Sequence, residues 1–148
     1  MVEVKLRIWD LLKLHGIYET IELEFPLASG NYVTNDVMPA TEDLAYVPLK
    51  ADFYNINTRG WHVRFIHPEI RFLRVRITDN ILTNGFTFRK PIVVTRDAYL
   101  RIVTENDSDY AGTLRMCMYA LQGSRTVMEN IVNKLREKSE YFALGIKL

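Results

Sequence analysis

The sequence predicts a mainly β protein, an antiparallel β-sandwich or jelly-roll with one C-terminal amphipathic helix and an N-terminal extended arm. Short runs of alternating apolar and polar residues recur from residue 49 onward, and turn residues separate them. An unambiguous helical period follows Gly123. We expect one domain, with residues 1–48 as N-terminal segment and arm, 49–123 as sandwich core, and 124–148 as helix and tail.

Composition sets the broad class of protein. Hydrophobic residues make up 48% and charged residues 25% of the 148 residues, which is typical of a folded globular protein. The single cysteine, Cys117, has no internal partner and is expected to be a small buried side chain.

Neither a signal peptide nor a run of about 20 apolar residues is present, so we expect no membrane partner. The expected location is the virion if the protein is viral, and otherwise the cytoplasm.

The N-terminal part of the chain contains one segment with an ambiguous pattern and one with a clear strand pattern. The first fifteen residues alternate like a strand but also fit a helical face that ends at Gly16. The run "IYETIELEF" predicts a strand with Ile21, Leu23 and Phe25 on one face.

Residues 26–48 are predicted to form a long loop or extended arm, with or without one short strand. They are rich in Pro, Gly, Ser, Asn and Thr and lack a sustained period. Because such a long loop is uncommon inside a compact domain, we expect the segment to lie across a neighbouring subunit. Its apolar contact candidates are Leu27, Tyr32, Val33, Val37 and Met38.

The predicted sandwich follows in short strands. In "EIRFLRVRI", residues 73, 75 and 77 face one way and residues 72, 74 and 76 the other, and Asn84-Gly85 predicts a tight hairpin. Two further runs, "AYLRIVT" and "LRMCMYA", also alternate. The predicted core consists of Leu73, Val75, Ile77, Leu100, Ile102, Leu114, Met116 and Met118.

After Gly123 the chain is predicted to form a helix, because apolar residues recur there at helical spacing, with Thr126 and Glu129 as its capping box. The residues at this spacing are Val127, Met128, Ile131, Leu135 and Lys138.

Three carboxylates lie within residues 105–109, between two of the predicted strands. An EF-hand calcium loop starting at Asp107 would place Ala111 and Met118 at ligand positions, so that pattern fails. The turn chemistry of Asn, Asp and Ser instead predicts the polar end of a hairpin or a crossing between sheets.

His62 and His67 are five residues apart and should face opposite sides of a strand. We therefore expect no metal and no cofactor, and the absence of nucleophile-elbow and phosphate-loop motifs predicts a protein that is not an enzyme.

Charge is unevenly distributed along the chain. Residues 1–58 carry nine acidic and four basic residues, whereas residues 59–90 carry two acidic and seven basic residues. These segments either neutralise each other within the domain or meet between subunits. The basic strands also supply interface candidates, which are Arg64, Arg71, Arg74 and Arg76. Because Trp61, Phe65 and Phe72 interleave with them, single-stranded nucleic acid is a second alternative, although not the expected partner.

The run "PIVVTRDAYLRIVTENDSDYAGTLRMCMYALQG" resembles the second half of small virion proteins of tailed phages and other viruses, in which such strands close a sandwich. The resemblance implies a self-assembling capsid or capsid-associated protein. Its expected partners are other copies of itself, as a trimer or capsid lattice, and other virion proteins. The first alternative is a carbohydrate-binding sandwich or lectin that uses Tyr54, Trp61, Tyr99 and Tyr110.

Overall fold

The structure is a computed structural model that describes residues 5–6, 18–70, 73–137 and 146–147. Its strands are β1 (Lys5–Leu6), β2 (Tyr18–Leu27), β3 (Tyr32–Val37), β4 (Leu44–Tyr54), β5 (His62–Ile66), β6 (Leu73–Arg76), β7 (Phe86–Thr87), β8 (Leu100–Glu105), β9 (Gly112–Ser124) and β10 (Ile146–Lys147). Its helices are α1 (Asp79–Asn84) and α2 (Arg125–Glu137). Predictions for Arg71, Phe72 and most of the first fifteen residues lie outside the described residues.

Eight of the strands form two antiparallel sheets of four, which confirms the predicted mainly β sandwich. Sheet 1 has the order β2-β9-β4-β7, and sheet 2 has the order β3-β8-β5-β6. Strands that follow one another in the chain mostly alternate between the two sheets, as in a jelly-roll. The short strands β1 and β10 pair with each other in a separate two-stranded sheet.

The two sheets enclose one hydrophobic core. Seven of the eight predicted core residues belong to it and are buried, whereas Leu73 is partly exposed and packs against it. The alternation predicted for β2 is also confirmed, because Phe25 is buried and Ile21 and Leu23 pack against the core while Glu22 and Glu24 are exposed. A period of two therefore identified the inner face of several strands.

The prediction of a long loop or arm over residues 26–48 is wrong, although β3 corresponds to the one short strand that the prediction allowed there. β3 pairs with β8 from Tyr32 to Val37, and β4 begins at Leu44, so the sandwich also includes strands before residue 49. Val33 and Val37 supply the inner face of β3. The pattern was hard to recognise because each strand run is short and is bounded by a turn, the first with Gly30 at φ +76°. Pro48 is accommodated in β4 next to a register shift before Lys50.

The predicted hairpin at Asn84-Gly85 is also wrong, since residues 79–84 form α1. Thr78 caps this helix by accepting a hydrogen bond from the Ile81 amide (3.3 Å), and the Gly85 amide donates to the Ile81 carbonyl (2.8 Å). Gly85 has φ +75° and ψ −174°, and such a positive φ favours glycine both at helix ends and in tight turns. The same dipeptide therefore suits both structures, and local sequence does not distinguish them.

The predicted C-terminal helix is present as α2, but its capping residue differs. The Ser124 hydroxyl accepts a hydrogen bond from the Val127 amide (3.2 Å), so the predicted capping box of Thr126 and Glu129 is wrong. Met128 is buried and lies over Gly123, where an added Cβ would be 2.9 Å from the methionine methyl group. The helix thus covers part of the outer face of sheet 1. None of the described helices is long and apolar enough to cross a membrane.

Candidate functional site on the outer face of sheet 2

Charged side chains cluster on the outer face of sheet 2. Strand register places four residues side by side in one row across the sheet, namely Tyr32, Glu105, His62 and Arg76. The next row on the same face contains Thr34, Val103, Arg64 and Arg74. The described arginines of the two basic strands therefore share one face.

Some of these arginines are neutralised within the chain. The Arg64 guanidinium contacts the Glu105 carboxylate, and both side chains are mostly shielded from solvent. Arg101 pairs with Asp36 on β3 (2.9 Å), and this hydrogen bond raises the pKa of Arg101. Within the described part of the chain, Arg74 and Arg76 have no ion-pair partner. The uncompensated positive charge thus lies on β6, at the edge of the sheet.

His62, Glu105 and Asp107, here called the His62 cluster, come together at one end of this face. One donor atom from each lies within 4.8 Å of the other two, and the His62 Nδ1 contacts the Asp107 carboxylate. His62 and Glu105 stand directly opposite each other on β5 and β8. The carboxylates and the histidine are separated by more than 40 residues in the sequence, and only the strand register brings them together.

Asn106 holds the loop that carries Asp107. Its side chain is buried and donates hydrogen bonds to the carbonyls of Leu27 (3.2 Å) and Tyr110 (2.8 Å). Its amide oxygen accepts from the Ser108 amide (2.9 Å) and hydroxyl (2.6 Å). The loop joins β8 in sheet 2 to β9 in sheet 1, so the crossing is the correct one of the two predicted alternatives.

The aromatic residues predicted to accompany the arginines face inward. Trp61 and Phe65 are fully buried, because residues 61, 63 and 65 form the inner face of this segment. The Trp61 indole packs beside the start of β9 and its nitrogen lies 3.4 Å from the Ser108 hydroxyl. Neither ring is therefore accessible for the base stacking of the nucleic-acid alternative, and Trp61 is not accessible for the sugar stacking of the lectin alternative.

His67 lies on the opposite face from His62, as predicted. It is 2% exposed, its Nδ1 accepts a hydrogen bond from the Glu69 amide (3.1 Å), and its Nε2 donates to the Val93 carbonyl (2.9 Å). Both ring nitrogens are used within the core, so His67 has a structural role.

Cys117 is buried as predicted, and its hydrogen bond with Tyr119 raises the pKa of that phenol.

The apolar interface candidates divide between the core and the surface. Leu27 and Val37 are buried inside the chain, which corrects their assignment to a contact surface. Val33 is half-buried against the core. Tyr32 is 69% exposed and Met38 is 37% exposed, so these two remain available on the β3 edge.

A cleft opens at the opposite edge of the sandwich, beside β6 and β7. It has a volume of about 630 Å³. Apolar and basic side chains line it together, including Ile70, Leu73, Ile81, Phe86, Arg89 and Lys90. The cleft therefore combines apolar side chains with two basic ones.

No protein-family model matches the chain, and neither a curated protein nor a solved structure matches it. The functional argument accordingly rests on the geometry of this chain.

Proposed function

We propose that the chain is a non-enzymatic structural protein that self-assembles through contacts between its two sandwich edges. Its assembly is a virion component of the capsid or capsid-associated type, as the resemblance of residues 91–123 implies. The jelly-roll strand order supports this class, because the architecture is used by viral capsid domains as well as by lectins and cupins. Since a fold by itself does not select a function, the main support is the opposite charge of the two edges.

One edge, formed by β2 and β3, is acidic. Residues 14–49 contain six acidic residues and neither Lys nor Arg. Glu22 and Glu24 project from the outer face of β2, and Asp36 projects from β3. Glu24 pairs with Arg115 (3.1 Å), but both side chains are more than 60% exposed, so this pair is readily exchanged for another.

The other edge, formed by β6 and β7, is basic. Residues 73–90 contain four basic residues and one acidic residue. The basic residues are Arg74, Arg76, Arg89 and Lys90, and all four are exposed. Arg89 and Lys90 also line the cleft described above.

These two edges are complementary in apolar surface as well as in charge. Tyr32 and Met38 are the exposed large apolar side chains of the acidic edge, and the cleft beside Phe86 is the apolar feature of the basic edge. Because the two surfaces differ, the contact is heterologous and repeats from one copy to the next, giving a closed ring or an extended array. Unpaired backbone groups on the edge strands add hydrogen-bonding capacity.

Charge reversal tests this contact. The double variants Glu22→Lys/Glu24→Lys and Arg74→Glu/Arg76→Glu should each have a lower molar mass than the parent in size-exclusion chromatography with light scattering. An equimolar mixture of the two variants should recover assembly, because the basic edges of one then face the acidic edges of the other. Asn130→Lys and Lys134→Glu, at exposed positions on α2, are matched controls and should assemble like the parent.

Other outcomes would reject the proposal. A parent protein that stays monomeric at all concentrations would remove its basis. A monomer retarded on polysaccharide gels would favour the lectin alternative, for which Tyr54 and Tyr110 are the exposed aromatic residues. A monomer that binds single-stranded oligonucleotides, and loses them with Arg74→Glu/Arg76→Glu, would favour the nucleic-acid alternative.

A further inference from the structure

We propose that the His62 cluster is a binding site for one divalent transition-metal ion of the zinc type. The site lies outside the hydrophobic core, on the outer face of sheet 2, where His62 is 18% exposed and Asp107 is 44% exposed. An ion can therefore enter it directly from solvent. The proposal is independent of self-assembly.

The spacing of the donor atoms suits such an ion. In a tetrahedral site with metal–ligand distances of about 2.1 Å, neighbouring ligand atoms are about 3.4 Å apart. The three donor atoms here are within 4.8 Å of one another, so they need to close by at most about 1.4 Å. Side-chain rotation supplies this movement, because Asp107 is on a loop and its carboxylate is partly exposed.

The donor set selects the class of metal. An imidazole nitrogen with two carboxylate oxygens suits zinc and related first-row ions. Calcium instead takes six to eight oxygen ligands, which one histidine and two carboxylates do not provide. Three protein ligands also leave one tetrahedral position for water or for a group from another molecule.

Residues around the cluster already restrain its ligands. The Arg64 guanidinium donates a hydrogen bond to the Glu105 carboxylate, which restrains that side chain. Asn106 fixes the backbone on either side of Asp107 through its hydrogen bonds to Leu27, Ser108 and Tyr110. Such outer contacts orient metal ligands and reduce the entropy lost on binding.

Calorimetric titration of the EDTA-dialysed full-length protein with zinc chloride tests the site. The parent should bind one zinc ion per chain. Mutating residues that only hydrogen-bond to metal ligands alters metal affinity by about 10–100-fold, so loss of a ligand in His62→Ala or Asp107→Asn should weaken binding by about 100-fold or more. Asp109→Asn is the matched control, because Asp109 is an exposed carboxylate of the same loop outside the cluster, and it should bind like the parent.

Two further measurements make the result decisive. Cobalt(II) should give a visible absorption band with the parent and Asp109→Asn but not with Asp107→Asn. His15→Ala should retain zinc binding, which would show that the remaining histidine outside the described residues is not the ligand. Circular dichroism of each metal-free variant checks that it is folded. The proposal is overturned if the parent binds no zinc, if folded His62→Ala and Asp107→Asn bind it like the parent, or if Asp109→Asn weakens it equally.

Discussion

Asn106→Ala should destabilise the fold through the loop that joins the two sheets. The substitution removes the four side-chain hydrogen bonds that Asn106 makes to Leu27, Ser108 and Tyr110. Each such bond contributes about 1 kcal/mol net, which gives about 4 kcal/mol in total. The Ser108 hydroxyl has one proton, and without Asn106 it donates that proton to the Tyr110 carbonyl instead (2.9 Å), so part of the loss is recovered. We expect a decrease of about 3 kcal/mol in the free energy of unfolding.

Urea unfolding followed by tryptophan fluorescence measures this decrease. With an m-value of about 2 kcal/mol/M, the midpoint should fall by about 1.5 M. Asp109→Ala is the control from the same loop and should change the unfolding free energy by less than about 0.5 kcal/mol. A decrease below about 1 kcal/mol for Asn106→Ala would refute the anchoring role.

Asn106→Asp sharpens the test, because it keeps the size of the side chain but loses the donating amide. At pH 7 the introduced carboxylate would face the carbonyls of Leu27 and Tyr110, and its burial raises its pKa above the ordinary value of about 3.9. A group whose pKa is raised in the folded state contributes stability at low pH and loses it as the pH rises. The deficit relative to the parent should therefore be largest at pH 7 and shrink towards pH 4.

Four further predictions concern the core, the α1 terminus and the carboxylate loop. Ile102→Ala should lower the unfolding free energy by about 2–5 kcal/mol in urea titrations, since Ile102 is fully buried, and a cost near zero would contradict the β8 register. Thr104→Val should raise it by about 1 kcal/mol, because the buried Thr104 hydroxyl has no hydrogen-bond partner among the described residues; a decrease would reveal one. Gly85→Ala should lower the thermal midpoint, since φ is +75° and the new Cβ would lie 2.8 Å from the Ala51 carbonyl oxygen, and an unchanged midpoint would contradict that packing. Millimolar calcium or EDTA should leave the melting temperature of metal-free protein unchanged, whereas a rise of several degrees with calcium would show a calcium site.

The zinc site and the calcium result are compatible. Zinc binding to the folded protein alone should raise its melting temperature, and calcium should not, because the two ions need different ligand sets. The sequence analysis excluded a calcium loop from the spacing of its ligands. It did not consider a site that combines His62 with Glu105 and Asp107.

Local alternation was sufficient to predict several strands and their inner faces. In β2, β6, β8 and β9, inward-facing and outward-facing residues alternate with a period of two that is visible in the sequence alone. The helical period after Gly123 likewise predicted α2. In these segments the buried face follows from side-chain spacing, because each element has one side against the core.

Two segments were assigned incorrectly for identifiable reasons. β3 lies at a sheet edge, where only one of its faces contacts the core, and three of its six side chains are exposed. The weak pattern therefore resembled a loop. In α1, the glycine at residue 85 serves a helix end rather than a hairpin, and that choice depends on how the helix packs on β4.

The sequence by itself determined that this chain is rich in short antiparallel strands, which side chains form its core, and where its charge is concentrated. Only the tertiary structure decided which strands are neighbours, and therefore which charged residues meet. His62 and Glu105 are far apart in the chain, yet strand register sets them opposite each other beside Asp107. The physical reason is that alternation records which face of a strand is buried, whereas pairing between distant strands depends on how the whole core packs.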